Sequence, residues 1–354
     1  MSHSNWLIYG AYGFTGQLLV DEAVRQGQQP VLAGRTASKL APLAEKYGLE
    51  TLILGLEDPA KLAKALKGVE LVFHAAGPFQ ITSAPMLEAC LEGGVNYIDI
   101  TGEIPVFQHT FAQHERALRA GVGLISGAGF DVIPSDCLAK YVAEKLPSAI
   151  DLQIGVASST QPSSGTAKSS IEMMPRGGMR RQNGQLVPLQ LGDGAKKIHF
   201  SHRELVTLPI SWGDLETAYR STGIPNITTY MAYPPRLVKT VRRYGALVQK
   251  LVRVSLLRRA AQRIAEHSFK GPSAEMRRNN RSYLWAMASD AEGNQAQAWL
   301  ETMEAYQLTA VAGLRCVKKM LAERPVGALT PAQAFGADFI LETEGSKRID
   351  ILSA

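Results

Sequence analysis

A glycine-rich turn near the start of the chain is the first feature whose residue types and spacing suggest chemistry. It reads GAYGFTG and lies between a short apolar run and an amphipathic helical pattern. Glycine in such a turn lets the backbone approach a pyrophosphate, which then lies at the positive N-terminus of the next helix. A glycine-rich turn without a ligand is the plainer alternative. We predict a dinucleotide site made by Gly10, Tyr12, Gly13, Phe14, Thr15 and Gly16.

The segment VLAGRTASKL, in which the second apolar run ends, indicates which dinucleotide would bind. An NAD site commonly carries Asp or Glu here to bind the ribose 2′-hydroxyl. This segment has no acid and carries Arg35, Thr36 and Lys39 instead, donors that suit a 2′-phosphate. Alternatively, Arg35 and Lys39 are solvated residues at a helix start, although the helix dipole disfavours cations there. We therefore predict NADP(H) as the cofactor.

Further polar and aromatic residues follow later strands, at the sheet edge where ligands of open α/β sheets bind. The segment after the fourth strand is predicted to border the nicotinamide through Ala76, Gly77, Pro78 and Phe79. Three acids after the fifth and sixth strands are predicted to relay protons or orient a substrate: Asp99, Glu103 and Asp131. In the alternative interpretation, Asp131 caps a helix and Asp99 bonds to a neighbouring loop.

These residues are positioned by short apolar runs that alternate with amphipathic stretches, a pattern typical of a parallel sheet with crossover helices. Six strands are predicted at Trp6–Gly10, Pro30–Gly34, Thr51–Leu54, Leu71–Ala75, Asn96–Ile100 and Gly123–Ser126. Later strands are predicted at Ile150–Ser158, Arg203–Pro209, Ile227–Ala232, Ser282–Ala288 and Gln295–Thr302. The predicted fold class is α/β, with a Rossmann-type doubly wound parallel sheet and a second α+β domain of largely antiparallel sheet.

The length of 354 residues suggests more than one domain. We predict an NADP-binding domain over 1–148, a substrate or partner domain over 149–302, and a C-terminal segment, 303–354, that returns to the first domain. The three cysteines lie far apart, which argues against a disulfide framework or a zinc site and favours a reducing compartment. With no leader-like N-terminus or long apolar stretch, the sequence predicts a cytoplasmic protein.

Four segments together resemble one protein family. GAYGFTG, VFHAAGPF, NYIDITGE and GAGFDVIPSD fall in the order and spacing found in saccharopine dehydrogenase-like oxidoreductases, and a weaker likeness extends to LTPAQAFG. The resemblance implies an NADP-binding Rossmann domain followed by a second α/β domain, without implying saccharopine as the substrate. The short type with GFTG and GFDxIPSD is similar to the trans-acting enoyl reductases of polyketide-lipid synthesis, which implies an acyl or lipid-pathway substrate.

We therefore expect an NADP(H)-dependent oxidoreductase that moves hydride to or from a carbonyl, imine or activated alkene. A non-catalytic NADP(H)-binding sensor or scaffold stays open, because the sequence offers no unmistakable proton donor. A lesser alternative is a short-chain-dehydrogenase-like reductase, since Tyr141 and Lys145 match that family's YxxxK pair. Tyr141 falls on the apolar stripe of a predicted helix, so we expect it to pack rather than to transfer a proton.

The basic residues are concentrated in one segment. Residues 236–281 hold thirteen Lys and Arg against two acids, a charge of +11, which leaves −5 for the rest of a chain whose total is +6. Residues 236–266 predict a basic amphipathic helix that binds an acyl carrier protein or an anionic membrane surface, or that only covers a core. No nucleic-acid motif accompanies the charge, and a homodimer stays open. Reversing Arg242, Arg243, Arg253 and Arg258 is predicted to abolish partner binding.

Overall fold

A computed structural model describes residues 6–173, 177–252 and 255–352, which divide into two compact units. The first comprises Met1–Ile133 and Tyr306–Phe335, and the second comprises Pro134–Ala305 and Gly336–Ala354. The units differ from the predicted domains in two places. The first division lies before residue 148, and the C-terminal segment 303–354 is shared between the units. Backbone pairing explains the sharing, because its two strands join different sheets.

The first part of the chain alternates strands and helices. Its elements are β1 (Trp6–Tyr9), α1 (Phe14–Arg25), β2 (Val31–Gly34), α2 (Ala37–Tyr47), β3 (Thr51–Ile53), α3 (Pro59–Ala65), β4 (Leu71–His74), α4 (Phe79–Gly93), β5 (Asn96–Asp99), α5 (Ile104–Ala112), α6 (His114–Ala120) and β6 (Gly123–Ile125). Each of the six predicted strands is present at its predicted place. Left-handed glycines end α2, α4 and α6, as glycine C-caps commonly do.

The second part mixes helices and hairpins. Its elements are α7 (Ile133–Lys145), β7 (Asp151–Ser158), α8 (Ser164–Met173), β8 (Gly178–Gln182), β9 (Gln185–Leu189), β10 (Lys196–His199), β11 (Glu204–Ile210), α9 (Asp214–Thr222), β12 (Asn226–Ala232), α10 (Pro235–Val252), α11 (Ser255–Ser268), α12 (Ala274–Asn279), β13 (Arg281–Ser289), β14 (Gln295–Met303), α13 (Ala305–Glu323), β15 (Gly327–Leu329), α14 (Pro331–Phe335), a 3₁₀ helix (Phe339–Glu342) and β16 (Lys347–Ile349). The five predicted strands correspond to β7 and β11–β14.

The sheet of the first unit is parallel throughout, in the order β15-β6-β5-β4-β1-β2-β3. The strand order reverses between β1 and β4, which is where open α/β sheets bind ligands. Every residue of β1 and β4 is buried, as expected for strands covered on both faces. The structure therefore confirms the predicted Rossmann-type sheet, and β15 adds a strand that the sequence did not reveal.

The sheet of the second unit has the order β10-β11-β12-β7-β13-β14-β16, with β8 and β9 attached beside β12. Among the described strands of this second sheet, only β12 and β7 pair in parallel, and the other pairs are antiparallel. Phe200, Trp285 and Trp299 form an aromatic cluster on this sheet. The predicted fold class is confirmed, with a mixed second sheet.

Two further expectations concern disulfides and membrane-spanning helices. Cys90, Cys137 and Cys316 are all buried, and none is in a disulfide. No helix within the described ranges combines the length and the apolar character that a membrane span requires.

Candidate functional site

The glycine turn after β1 is fixed by a close approach of two backbone segments. Gly10 has φ +87°, and a Cβ at this position would lie 2.8 Å from the Cβ of Ala76. The N–H of Gly10 donates to the carbonyl oxygen of Ala33 at 2.8 Å, at the end of β2. Only glycine meets both the backbone conformation and the space at this point. The turn therefore lies where β1, β2 and the segment after β4 converge.

The other two glycines shape the start of α1. A Cβ on Gly16 would collide with the carbonyl oxygen of Gly10, whereas a Cβ on Gly13 would lie 3.2 Å from the same oxygen. Gly13 is the N-cap of α1, and no side chain caps this helix. A helix N-terminus without a side-chain cap favours an anion, because its N–H groups and dipole are positive. Gly16 thus maintains the turn, and Gly13 provides the surface that a pyrophosphate would approach.

The predicted 2′-phosphate residues surround the end of β2. Arg35 and Lys39 are exposed, and neither forms an ion pair within the described part of the chain. The ring of Tyr12 lies against Gly34, so closely that a Cβ there would be 2.7 Å from Cε1 of the tyrosine. The Lys39 Nζ lies 5.6 Å from the centre of the Tyr12 ring. Thr36 is the N-cap of α2. These donors can bind a phosphate without breaking an existing ion pair.

The turn after β4, from Ala76 to Phe79, contains a cis peptide bond between Gly77 and Pro78. The carbonyl oxygen of Ala76 accepts from Thr82 Oγ1 at 2.6 Å and contacts Nε2 of His74 at 3.2 Å. Nδ1 of His74 lies 3.2 Å from the Tyr97 hydroxyl. Burial lowers the pKa of His74 to about 4, so the ring is neutral at pH 7, with Nε2 donating and Nδ1 accepting.

Sequence reasoning missed His74 as a site residue. The segment HAAG was noticed only as part of a family motif, and a lone histidine at the end of a strand gives no local signal. Its two hydrogen bonds show that it holds the backbone of the turn predicted to border the nicotinamide. His74 is therefore a positioning residue for that turn.

Glu103 lies at the same turn, but both of its oxygens are engaged. The carboxylate is buried and accepts from the N–H groups of Phe79 and Gln80, each at 3.1 Å. It thus caps the N-terminus of α4, where a negative charge is stabilised by the helix dipole. The sequence predicted a catalytic role for Glu103. The contacts show that it also positions the backbone at Phe79 and Gln80, and its catalytic role stays a prediction.

Asp99 is also part of the framework. It is fully buried and accepts from the N–H groups of Thr101 and Gly127, each at 3.0 Å, and from Ser126 Oγ at 2.9 Å. Burial raises the pKa of Asp99 to about 6, although these donors favour the charged form. The side chain links the end of β5 to the end of β6. These bonds are those of the alternative interpretation, in which Asp99 bonds to a neighbouring loop, and its catalytic role stays a prediction.

Asp131, after β6, differs from the other two acids. It is partly buried, and it has no hydrogen-bond partner among the described residues. Its Oδ2 lies close to the backbone of Gly102, where an added Cβ would be only 2.7 Å away. Burial raises the pKa of Asp131 to about 6. Of the three predicted acids, this is the one whose carboxyl group is available for proton transfer.

Tyr141 and Lys145 lie in the second unit and are tied to its C-terminal segment. The Tyr141 hydroxyl donates to the carboxylate of Asp350 at 2.7 Å, and the Lys145 Nζ is 3.6 Å from the same carboxylate. The Arg348 guanidinium lies 3.4 Å from the centre of the Tyr141 ring. Tyr141 is thus partly exposed and hydrogen-bonded, where the sequence predicted apolar packing. Its hydroxyl is engaged with a carboxylate.

The glycine turn, the strand order and the cations after β2 together define a Rossmann-type dinucleotide-binding domain. Residues 6–125 match the family model described as the saccharopine dehydrogenase NADP binding domain. Residues 6–125 are therefore similar to the NADP-binding domain of that family. The match confirms the predicted family resemblance and the predicted cofactor, NADP(H).

The curated relatives agree with this assignment. The human "Saccharopine dehydrogenase-like oxidoreductase" is 32% identical over 161 residues, which cover 40% of this chain and 37% of the relative. The "Trans-acting enoyl reductase" of Mycobacterium ulcerans (strain Agy99) is 29% identical over 140 residues, which cover 37% of this chain and 33% of the relative. The chain thus matches between 33% and 37% of the length of these relatives.

One solved structure extends the likeness to the second unit. The apo saccharopine dehydrogenase (L-Glu forming) of Saccharomyces cerevisiae superposes with a TM-score of 0.65 at 14% identity, covering 97% of this chain and 99% of that one. At this identity the comparison concerns the fold alone. The two-unit architecture therefore occurs in a known oxidoreductase.

Proposed function

We propose that this protein is an NADPH-dependent reductase that delivers hydride to a carbonyl, imine or activated alkene, with Asp131 as the proton donor. The observation that carries the proposal is that a glycine-cradled dinucleotide turn and an available carboxyl group follow strands of one parallel sheet, at its carboxyl edge. The family match to an oxidoreductase domain supports it.

Different residues of the first unit bind different parts of the cofactor. The turn of Gly10–Gly16 accommodates the pyrophosphate, and Arg35 with Lys39 contacts the 2′-phosphate. The turn from Ala76 to Phe79 borders the nicotinamide and is held in place by His74, Thr82 and Glu103. When bound, NADPH supplies the hydride.

Asp131 supplies the accompanying proton. Reduction of a C=X bond adds hydride to carbon and a proton to the atom X, and the protonated carboxyl of Asp131 gives up that proton before solvent restores it. A pKa of about 6 suits this step, because a general acid works best when its pKa is near the working pH. An ordinary exposed aspartic acid, with a pKa of about 4, would be almost fully ionised at pH 7.

We place an acyl substrate with an activated alkene first among the three acceptor classes. The support is the similarity to a mycobacterial protein named trans-acting enoyl reductase, which covers 37% of this chain. A cytoplasmic reaction is part of the proposal and agrees with three cysteines that are buried and free of disulfides.

The proposal is tested by following oxidation of NADPH at 340 nm against a panel of enoyl thioesters, ketones and cyclic imines. We expect turnover with one class, faster with NADPH than with NADH, and strongly reduced in Asp131→Asn. Turnover with Asp131→Asn equal to that of the unchanged protein would overturn the role of Asp131.

A second candidate function is a non-catalytic NADP(H)-binding sensor. The observation in its favour is that Asp99 and Glu103, two of the three predicted acids, are engaged in holding the fold. Tight NADPH binding without turnover on any acceptor class would favour the sensor. The alternative of a Tyr141–Lys145 pair is weakened because the tyrosine hydroxyl is bonded to Asp350.

A further inference from the structure

Helix α10 carries an exposed apolar stripe, which we define as Leu237, Tyr244, Leu247 and Leu251. The exposed fractions of these side chains are 44%, 47%, 57% and 49%. Their spacing of seven, three and four residues places them on one face of the helix, within a sector of about 80°. Single exposed leucines are ordinary on a protein surface, whereas a continuous stripe of this kind marks an interaction site.

The opposite face of α10 already packs against its own unit. Val238 is buried, and so is Gly245, where an added Cβ would lie 2.9 Å from the carbonyl oxygen of Leu191. Farther along the helix, an added Cβ on Gly177 would contact the Gln249 side chain. The helix therefore contributes one face to the fold and leaves its apolar stripe outside. The predicted alternative, that this segment only covers a core, accounts for the first face and not for the second.

A basic band runs beside the apolar stripe. Arg236, Lys239 and Arg243 are exposed, and at about 100° per residue they occupy the sector next to the leucines. Helix α11 also exposes an apolar side chain, Ile264 at 68%, and a basic one, Arg259, although the two lie on different faces. The band belongs to the segment that holds a charge of +11, against −5 for the remaining residues.

The structure changes which arginines belong to this surface. Arg258 Nε lies 3.3 Å from a carboxylate oxygen of Glu172, so this arginine has an ion-pair partner in its own unit. The sequence also predicted that Arg253 binds the partner, and this residue lies outside the described residues. The band is therefore best tested with Arg236, Lys239 and Arg243.

The apolar stripe and the basic band together favour an anionic partner with an apolar interior. A second copy of the chain would bring two basic bands together, and like charges repel. The acidity of a carrier protein accounts for the basic band but gives no reason for the exposed leucines. A membrane satisfies both, because lipid phosphates bind the band while the leucines enter the boundary between headgroups and acyl chains. Tyrosine, as in the middle of this stripe, is enriched at that boundary.

We propose that helix α10 docks the protein on an anionic phospholipid surface, with the apolar stripe facing the lipid and the basic band on the headgroups. This interaction is independent of the reaction proposed above, since it uses no residue of the cofactor site. It predicts a peripheral association that weakens with salt, because surface charges are screened over a Debye length of ~10 Å at 0.1 M.

The first experiment is vesicle co-sedimentation of the full chain. We expect binding to phosphatidylcholine vesicles with about 30% phosphatidylglycerol, a composition that gives a negative surface potential. Binding is expected to be much weaker to pure phosphatidylcholine, and to fall when salt is raised to about 0.5 M. Equal binding to neutral vesicles would overturn the charge part of the proposal, and absence of binding at low salt would overturn the whole.

Two sets of variants separate the basic band from the apolar stripe. Changing Arg236→Gln, Lys239→Gln and Arg243→Gln together is expected to weaken binding about 100-fold, at roughly fivefold for each basic residue. The matched control changes three exposed lysines of α3 and its end, Lys61, Lys64 and Lys67, to Gln, with the same loss of charge and little expected effect. An equal loss in the control would mean that only net charge matters.

For the stripe, Leu247→Asn and Leu251→Asn are each expected to weaken vesicle binding about tenfold through lost apolar burial. Tyr244→Trp provides a readout without loss of charge, and its fluorescence should shift to shorter wavelength on vesicles. An unshifted spectrum together with unchanged binding of the leucine variants would overturn insertion. Retention on an immobilised acidic acyl carrier protein, with no vesicle binding, would assign the surface to that protein instead. NADPH affinity is expected to be unchanged in all these variants.

Discussion

The carboxyl edge of the first sheet has two halves that differ in what fixes them. At the ends of β1 and β2, the backbone is constrained by glycines while the charged side chains, Arg35 and Lys39, remain exposed. At the ends of β4 and β5, the charged side chains are buried and hold the backbone: Glu103 caps α4, and Asp99 links two strand ends.

This difference shows that polar residues at one sheet edge need not share a role. A side chain whose hydrogen bonds are already satisfied stabilises the fold, whereas one left without partners can serve a ligand. Asp131, after β6, is the exception among the three acids, because its carboxyl has no hydrogen-bond partner among the described residues and its pKa is raised to about 6. Variants can test which residues hold the fold and which serve a ligand, and we give them from the largest expected effect to the smallest.

The largest effect is expected for Asp131→Asn, which removes the proposed proton donor. Activity should fall by about 10²–10⁴-fold, the usual contribution of general acid catalysis. In the unchanged protein, kcat/KM for reduction should fall as pH rises through about 6, because the protonated form is lost. Steady-state rates of both proteins between about pH 5 and about pH 8 would measure both effects. A profile without this limb would argue against Asp131.

Asp131→Asn is also expected to change the free energy of unfolding, and to raise it while activity falls. The pKa of Asp131 in the folded protein, about 6, exceeds that of an unfolded aspartate, about 3.9. The folded state therefore binds the proton more tightly, so this group favours folding at low pH and opposes it as pH rises through about 6. Asp131→Asn should be more stable than the unchanged protein above that range, by up to about 3 kcal/mol. Urea titrations at both pH extremes would measure the difference.

The second effect concerns the glycine half. Gly13→Val places a branched side chain where a pyrophosphate would approach, and NADPH affinity should fall about 100-fold or more while the protein remains folded. Gly13→Ala, whose Cβ would lie 3.2 Å from the Gly10 carbonyl oxygen, should give a smaller loss. Fluorescence titration with NADPH checks both variants. Unchanged affinity in the valine variant would mean that the dinucleotide binds elsewhere.

A third, smaller effect is expected at the exposed cations. Arg35→Ala should weaken NADPH by about 10–100-fold, corresponding to roughly 1.5–3 kcal/mol for a charge-assisted contact, and leave NADH nearly unchanged. Lys46→Ala, at the far end of α2, is the matched control and should change neither affinity. Equal weakening of both cofactors would contradict the assignment of Arg35 to the 2′-phosphate.

Glu103→Gln should separate positioning from proton transfer. The amide replaces one accepting oxygen with a donor that faces a backbone N–H, so the free energy of unfolding should fall by about 1–3 kcal/mol. Activity should fall less than tenfold, with a rise in the KM for NADPH larger than the change in kcat. A loss of kcat by more than 10²-fold at unchanged stability would restore the catalytic role predicted from the sequence.

The smallest effect is expected for Tyr141→Phe, in the second unit. Its hydroxyl is bonded to Asp350, so removing it should leave activity within about twofold and cost roughly 0.5–1.5 kcal/mol of stability. Lys145→Gln serves as the companion variant, since Lys145 contacts the same carboxylate. A loss of activity by more than 10²-fold in Tyr141→Phe would favour the short-chain-dehydrogenase alternative.

Local features of the sequence determined the cofactor half of this site. Each of these features is a pattern of residues only a few positions apart: the six strands of the first 126 residues, the spacing of Gly10, Gly13 and Gly16, and the basic residues after β2. Such features are visible in a sequence because a glycine turn and a buried parallel strand impose their residue types locally. The short strands β15 and β16 were missed because each depends on a partner far away in the chain.

Only the tertiary structure separated the three acids and the two faces of α10. Asp99, Glu103 and Asp131 are equivalent candidates in the sequence, and they differ only through donors brought to them from other segments, such as the N–H of Gly127 and that of Phe79. Helical spacing likewise revealed that α10 is amphipathic, but not that Val238 is buried and Leu247 exposed. Hydrogen bonds and burial are properties of the neighbours that folding supplies, and for these residues those neighbours are distant in the chain.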